Sequence, residues 1–403
     1  MSAVDDPHRV PEPAAEPPPD TTSQLAARIA ERVSASAGGA RIDELLARKL
    51  RGNEFTTLLL HGLRQRALQR TFADVREQAL RAPMTHASTA DARRMHALDG
   101  LLFECASEYE AVDLAPVGPL GTAACTGIDP NNVLGAARFA EVASDPSMGL
   151  ALHAARARRS AASSPPARDT LRWCASQRVL RLQPFDQPGF SPHFRLFALA
   201  TSARSPNAAG DDAAERQSLL EHLTVWAELA HRLPRAGFDV ARTRVVLSDT
   251  RVVSAFLRAR APHIDLRGVK ANRPGSTQEA LHEAGISTHV VEDWCDDPSV
   301  RAMPEWEQGI ARALRDDVAK PLQARFPQVG VGYDLTRLQG LHYYRGPFLQ
   351  IWIQHENGME IPIGDGGAVS WTQELLSDRR QRFAISGIGS ELLVKLFSSK
   401  ENR

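Results

Sequence analysis

Three groupings in this 403-residue chain have residue types and spacing that bear on chemistry. At His342, Tyr343 and Tyr344 an imidazole beside two phenols could act as a general base in a pocket, against the plainer reading of a hydrogen-bonded structural histidine. Asp365-Gly366-Gly367 and Gly387-Ile388-Gly389 are glycine runs of the kind that let a backbone approach a phosphate. Neither fits G-x-x-x-x-G-K-[ST] or a strand-to-helix G-x-G-x-x-G, and tight packing competes as the explanation of both. Ser160, Ser163 and Ser164 lie in a polar stretch with no nucleophile elbow, so hydrolase chemistry has no support. Cys105, Cys125, Cys174 and Cys295 are far apart, with no C-x-x-C and no histidine pair, which argues against a zinc knuckle or a disulfide framework; no metal site is expected. Trp352 and Trp371 read as core rather than as ligand platforms.

Composition narrows what these residues could serve. With 43% apolar and 24% charged positions the chain reads as two or three globular domains, and fibrous or wholly disordered readings are excluded. Forty-eight basic residues balance forty-eight acidic ones, so no overall positive field gathers nucleic acid. No apolar run approaches eighteen residues, and the first thirty hold Asp5, Asp6 and Glu16 without an apolar leader core, so a cytoplasmic protein with no membrane partner is expected.

The elements that must position the chemistry follow from periodicity. Residues 1–37, rich in proline, alanine and acid, read as a disordered tail. Residues 38–96 read as a helical N-terminal segment in which Leu45, Leu46, Leu50, Leu58, Leu59, Leu60, Leu63 and Leu68 interleave with arginine; the basic flank reads as a solvated face that could also dock a partner. Residues 97–258 and 329–403 form the main domain: a helix, a short strand ending at Pro116, a hairpin of Arg178 to Leu182 with Phe194 to Thr201, and a helix carrying Leu219, Leu223, Trp226, Leu229 and Leu233. A second hairpin turns at Asn357-Gly358. Residues 259–328 read as a helical insertion.

The order of three late segments, GLHYYRGPFLQIWI (340–353), IPIGDGG (361–367) and FAISGIGSELLVKLF (383–397), resembles the end of a histidyl-tRNA synthetase catalytic core. Upstream, ASEYEAVDLAPV resembles the helix, strand and proline of class II motif 1, with Pro116 at the proline; RVLRLQPFDQPGFSPHFRLFAL (178–199) resembles motif 2. The resemblance implies an α+β fold, a class II synthetase-like antiparallel sheet flanked by helices, with the helical N-terminal segment and insertion added. It further implies that Arg181 and Arg195 act on ATP phosphates as catalytic groups, and that Phe197 stacks on adenine. Gln183, Gly389 and Glu391 would complete the nucleotide site, while Asp145, Ser147, Tyr343, Tyr344 and Gln350 would hold an amino acid or small carboxylate. A fixed guanidinium suits carboxylate attack on phosphorus, because negative charge builds on the non-bridging oxygens.

The departures bear on function. Leu392 follows Glu391 where the family places a phosphate-binding Arg, Gln339 stands for a second phosphate-directed Arg, His342 for an Asp, and Gln350 for a Glu of the histidine pocket. Arg379, Arg380 and Arg382 offer a substitute cation from a neighbouring backbone position. The chain ends soon after the last matching segment, leaving no counterpart of the family's anticodon-binding domain, so tRNA charging is not expected. Two functions follow: a homodimeric paralogue that binds an amino acid or similar carboxylate, with ATP and Mg2+, for adenylate-type activation; and a non-catalytic subunit similar to the regulatory subunit of ATP phosphoribosyltransferase, using the pocket as a sensor for a protein partner.

Overall fold

Strands form where apolar and small residues alternate with period two, and nine of them make one sheet. The computed structural model describes residues 22–39, 41–162, 170–184, 189–206, 212–260, 262, 281–282 and 285–399. Its main sheet contains β1 (Glu110–Ala111), β2 (Thr170–Leu180), β3 (His193–Arg204), β4 (Val240–Asp249), β5 (Val290–Val291), β6 (Val329–Asp334), β7 (Pro347–His355), β8 (Glu360–Val369) and β9 (Gln381–Ile388), in the spatial order β1-β2-β3-β9-β8-β7-β4-β6-β5. Only the pairs β1 with β2 and β4 with β6 run parallel. The other six are antiparallel, as expected for this α+β fold. Three short strands, Val117–Pro119, Gly135–Ala136 and Ala140–Val142, form a small second sheet.

The chain divides into two units, Met1–Arg70 and Thr71–Arg403. The first holds α1 (Thr22–Ser36), a short turn of helix at Ile42–Glu44, a π-helical turn at Leu45–Lys49, and α2 (Gly52–Leu68). The tail expected over 1–37 is therefore helical from Thr22, where TSQLAARIAERVSAS carries no proline; residues 1–21 lie outside the described residues. The segment expected over 38–96 divides at residue 70: from α3 (Phe72–Arg81) onward it belongs to the second unit, where Ser88 hydroxyl donates to Glu391 at 2.6 Å.

Two faces of the sheet are covered separately. On one, α4 (Ala92–Cys105), α6 (Ala213–Arg232), α7 (Thr250–Arg260), α8 (Glu305–Leu314) and α10 (Ser390–Phe397) share an apolar cluster with Phe197, Leu199, Val245, Leu247, Ile351 and Ile388. Trp294, Met303, Leu314, Val318, Leu322 and Phe326 lie in that same cluster, so the described part of 259–328 packs as part of the core; residues 263–280 lie outside the described residues. On the other face, α5 (Pro146–Ala162) and α9 (Trp371–Leu376) cover Trp173, Ala198, Ala200, Tyr344, Phe348 and Ile385. Trp371 is core, as read, whereas Trp352 is half-buried under the Arg244 guanidinium and donates from Nε1 to Gln350 at 3.0 Å.

Along α6 the apolar stripe expected from the three- and four-residue spacing is buried, and His222 is buried with it. Its imidazole lies 3.0 Å from Thr201 Oγ1 and 2.9 Å from Ser386 Oγ, and Trp226 Nε1 donates to the same serine at 2.9 Å. Burial disfavours the imidazolium and lowers His222 to about 3. A folded pKa below the unfolded value near 6.5 means that the unfolded chain binds the proton more readily once the pH falls under ~6.5. The stabilisation is complete above that pH and declines on acidification toward 3. Urea titrations from pH 7.5 to 4.5 are expected to show wild-type stability falling by roughly 1.4 kcal/mol per pH unit below ~6 from this group, with a shallower fall in His222→Gln.

Candidate functional site

The cleft is set by one cross-strand row. Ala175 pairs with Ala198, Ala198 with Gly387, Gly387 with Asp365, and Asp365 with Gln350, so these five residues lie side by side on one face. Two alanines and a glycine leave the row low in its middle, and the polar pair Asp365 and Gln350 closes one side. Above it lies a cavity of about 310 Å3, near the low end of the ~300–1,000 Å3 of small-molecule sites. It is lined by Asp145, Ser147, Arg181, Gln183, Tyr343, Tyr344, Gln350, Gly389 and Glu391, nine of the eleven residues expected at the site. Asp365, Lys395, Phe190 and Phe194 line it as well.

Arg181 reaches the cleft because the β2–β3 hairpin continues one rung beyond the strands: its N–H donates to Pro192 at 2.7 Å. That parity puts it with Phe194 and Leu196, and its guanidinium lies 5.2 Å from the Phe194 ring centroid. Nε donates to the Ser144 carbonyl at 2.9 Å and Nη2 to Asp145 Oδ2 at 3.0 Å. Asp145 sits at the entry to α5, where its other oxygen accepts from the Ser147 N–H at 2.9 Å and hydroxyl at 2.6 Å. Tyr343 meets Tyr344 and Trp371 edge-on at 4.9 and 5.3 Å, and Tyr344 stacks on Phe348 at 5.5 Å. Burial pushes both phenols well above their ordinary range, so each remains a neutral hydrogen-bonding group.

Gly367 permits this arrangement: a Cβ there would stand 2.5 Å from Tyr344 Cδ1 and 2.7 Å from Phe348 Cβ. Packing against the phenol accounts for this glycine of the Asp-Gly-Gly run. At the far end of the cleft Glu391 is buried and held by Lys395 at 2.9 Å, Arg178 at 2.7 Å and Ser88. Burial alone would raise its carboxyl, but the Ser88 and Lys395 hydrogen bonds and the Arg178 charge outweigh it, and the net direction is down.

Two expected residues are elsewhere. Arg195 pairs with Arg178 and Phe197 with Ser176 across the hairpin, which turns both to the face opposite Arg181. Arg195 Nη1 donates to Asp99 at 2.8 Å, and Phe197 is fully buried edge-on to Phe103 and Trp226, so neither lines the cleft. The aromatic ring on the cleft side of β3 is Phe194. Arg379, Arg380 and Arg382 lie at the start of β9, about 20 Å of strand from its cleft end. Arg382 Nε is 3.0 Å from Glu215 and Arg380 pairs with Asp378. His342 is exposed and outside the cavity lining, which removes it as a base there. Ser163 and Ser164 lie outside the described residues.

Sequence reasoning missed Lys395 and Asp365. A signal existed for the first, since Glu391 and Lys395 stand four apart on α10; for the second only the strand register reveals which way it points.

No family model and no curated protein matches the sequence. Solved structures do. An ATP phosphoribosyltransferase regulatory subunit/histidyl-tRNA synthetase from Bacillus halodurans C matches at TM-score 0.54 and 15% identity, over 75% of this chain and 78% of that one. A histidine–tRNA ligase subunit from Alicyclobacillus acidocaldarius matches at 0.52 and 16%, over 78% and 95%. A histidyl-tRNA synthetase from Nostoc sp. PCC 7120 matches at 0.51 and 12%, over 77% and 73%. The fold is that of a class II synthetase core. Within this fold, the recognised segments at 340–353, 361–367 and 383–397 are the loop into β7, strand β8, and β9 with α10.

The two aromatic residues of β3 separate core from cleft. Phe197→Ala is expected to lower the unfolding free energy by ~3–5 kcal/mol. Phe194→Ala, at a half-buried position, is expected to cost clearly less; equal losses in urea unfolding would contradict the register.

Proposed function

We propose that this chain binds an amino-acid-like small molecule in the cleft and does not adenylate it, acting as a ligand-responsive subunit for a protein partner. The observation that carries this reading is the charge pairing of the cavity. Its two lining cations are both committed to lining carboxylates, Arg181 to Asp145 at 3.0 Å and Lys395 to Glu391 at 2.9 Å, and Asp365 adds a further acid. ATP does not fit this inventory. A triphosphate brought among three carboxylates meets repulsion on the order of 4 kcal/mol per close charge pair, and Gln339 and Leu392 stand on the lining without charge. Arg195 and Phe197, two of the expected nucleotide contacts, lie on the opposite face of the hairpin, while Gln183, Gly389 and Glu391 line the cleft without adding positive charge. Magnesium enters such a site with the triphosphate and falls with it.

The small-molecule half of the reading rests on a low sheet row roofed by Tyr343 and Tyr344 and ringed by Ser147, Gln183, Gln339 and Gln350, groups that direct a small polar ligand by hydrogen bonds. The Bacillus halodurans neighbour, which shares this fold, is named both as an ATP phosphoribosyltransferase regulatory subunit and as a histidyl-tRNA synthetase, and the regulatory role is the one that this charge pairing favours. Self-association through the Pro116 region is part of the same reading.

A panel of the twenty amino acids, each with and without ATP, tests this by thermal shift and pyrophosphate exchange together. The expected result is stabilisation by at least one amino acid, about 2.7 kcal/mol at a hundredfold excess over Kd, with no exchange. Exchange that requires an amino acid and disappears in Arg181→Ala would establish the adenylating alternative.

A further inference from the structure

Among the described residues three carboxylates line the cleft, and two are in close ion pairs with the protein's own cations: Asp145 with Arg181, and Glu391 with Lys395 and Arg178; Asp365 has the Tyr344 hydroxyl. Asp365 differs. Its side chain is 52% exposed and points from β8 into the cavity, beside Gln350 on the paired strand β7. Among the described residues the one ion pair it makes is long, 3.8 Å to Arg337 Nη2.

Arg337 is itself unusual. Its side chain is 4% exposed, and Nε, Nη1 and Nη2 all lack a hydrogen-bond partner. The guanidinium lies 4.7 Å from the Phe348 ring centroid, on the face that carries the cleft. A buried guanidinium without hydrogen bonds is costly, and a ring face offsets only part of that cost. The charge that faces it is the Asp365 carboxylate, 3.8 Å away. The exposed surface of Asp365 opens onto the walled cleft, whose desolvation raises its carboxyl from the ordinary value, while the Arg337 charge opposes that shift.

We propose that Asp365 receives a protonated nitrogen of the cleft's ligand, with Gln350 and Tyr344 beside it, and that Arg337 is a positioning residue keeping this carboxylate ionised and directed into the cavity. The proposal rests on reading the cleft as a small-molecule site. It shifts recognition of the ligand's positive group away from Asp145, which the Arg181 pair already engages, to the middle of the sheet.

The test extends the amino-acid panel by calorimetry on the full chain. Each amino acid that binds is compared with its α-N-acetyl derivative, with its decarboxylated amine and, where the side chain carries a positive nitrogen, with a neutral isostere. The expected result is that removing one positive nitrogen abolishes binding while the decarboxylated amine retains it, and that Asp365→Asn weakens binding ten- to a hundredfold. Arg337 is read by the acid limb of the affinity profile. Besides Arg337, the titratable and charged groups facing Asp365 are Tyr344, Asp145 and Arg181. In Arg337→Gln the pH at which affinity halves is expected to rise, and Arg337→Lys is expected to restore it; a purely structural arginine would change the unfolding midpoint and leave the acid limb in place. Binding unaffected by N-acetylation or by Asp365→Asn overturns this inference and leaves the small-molecule reading standing. Binding of none of the twenty overturns both.

Discussion

The register of the four central strands is the constraint on which the site depends. With Ala198 opposite Gly387, Gly387 opposite Asp365 and Asp365 opposite Gln350, the cleft face carries a shallow row ending in two polar side chains. A slip of one residue in β8 would send Asp365 into the α6 core and bring Gly364 or Gly366 to the floor. The register is held from both faces. Tyr344 occupies the space over Gly367, and Ser386 on the opposite face is fixed by Trp226 and His222. A site built this way is as rigid as the sheet, since its floor contains no loop residue.

Upon that floor, the lining cations are paired with lining carboxylates. Arg181 is matched to Asp145, whose second oxygen accepts from Ser147, and Lys395 to Glu391 Oε1, which Ser88 shares, while Glu391 Oε2 is held by Arg178 and the Arg195 N–H. Freeing Arg181 leaves the partly buried Asp145 without its ion pair, a cost on the order of several kcal/mol in a desolvated setting, whereas Glu391 without Lys395 keeps Arg178. Asp365 is the lining carboxylate whose ion pair is long, 3.8 Å to Arg337, and it shares the cleft with the amide side chains of Gln183, Gln339 and Gln350.

The fold was legible in the sequence wherever local pattern and tertiary environment agree. The α6 stripe, the Asn357-Gly358 hairpin and the recognised late segments all appear as read, and nine of eleven site residues share a cavity. Arg195 and Phe197 failed for a physical reason: an Arg-x-Phe match carries residue types, whereas the face each occupies depends on where the hairpin register begins. Parity counted outward from Arg181 would have placed Phe194, and not Phe197, beside it. Asp365 was hidden differently. Within Asp-Gly-Gly the glycines drew attention as potential phosphate contacts, while the structure assigns Gly367 to packing beneath Tyr344 and places the aspartate on the cavity lining. The compact units divide at Arg70, a point that helical periodicity passes through without revealing which helices pack with the sheet.

The α10 end of the cleft shows how leucine at 392, where the resemblance implies an arginine, is accommodated. Gly189, in the left-handed region at φ +85°, brings the end of the hairpin loop so close that a Cβ there would lie 3.2 Å from Leu392 and 3.1 Å from Leu396. Lys395 then donates to the Gly189 carbonyl at 3.2 Å and to Ser191 at 3.3 Å, while also holding Glu391. Leucine at 392 thus packs against the loop that an arginine would need to clear in order to reach a phosphate. The Leu392 contact and the Lys395 ammonium join α10 to the end of the β2–β3 loop, closing that side of the cleft, while Asp365, Gln350 and the paired tyrosines meet on the opposite side.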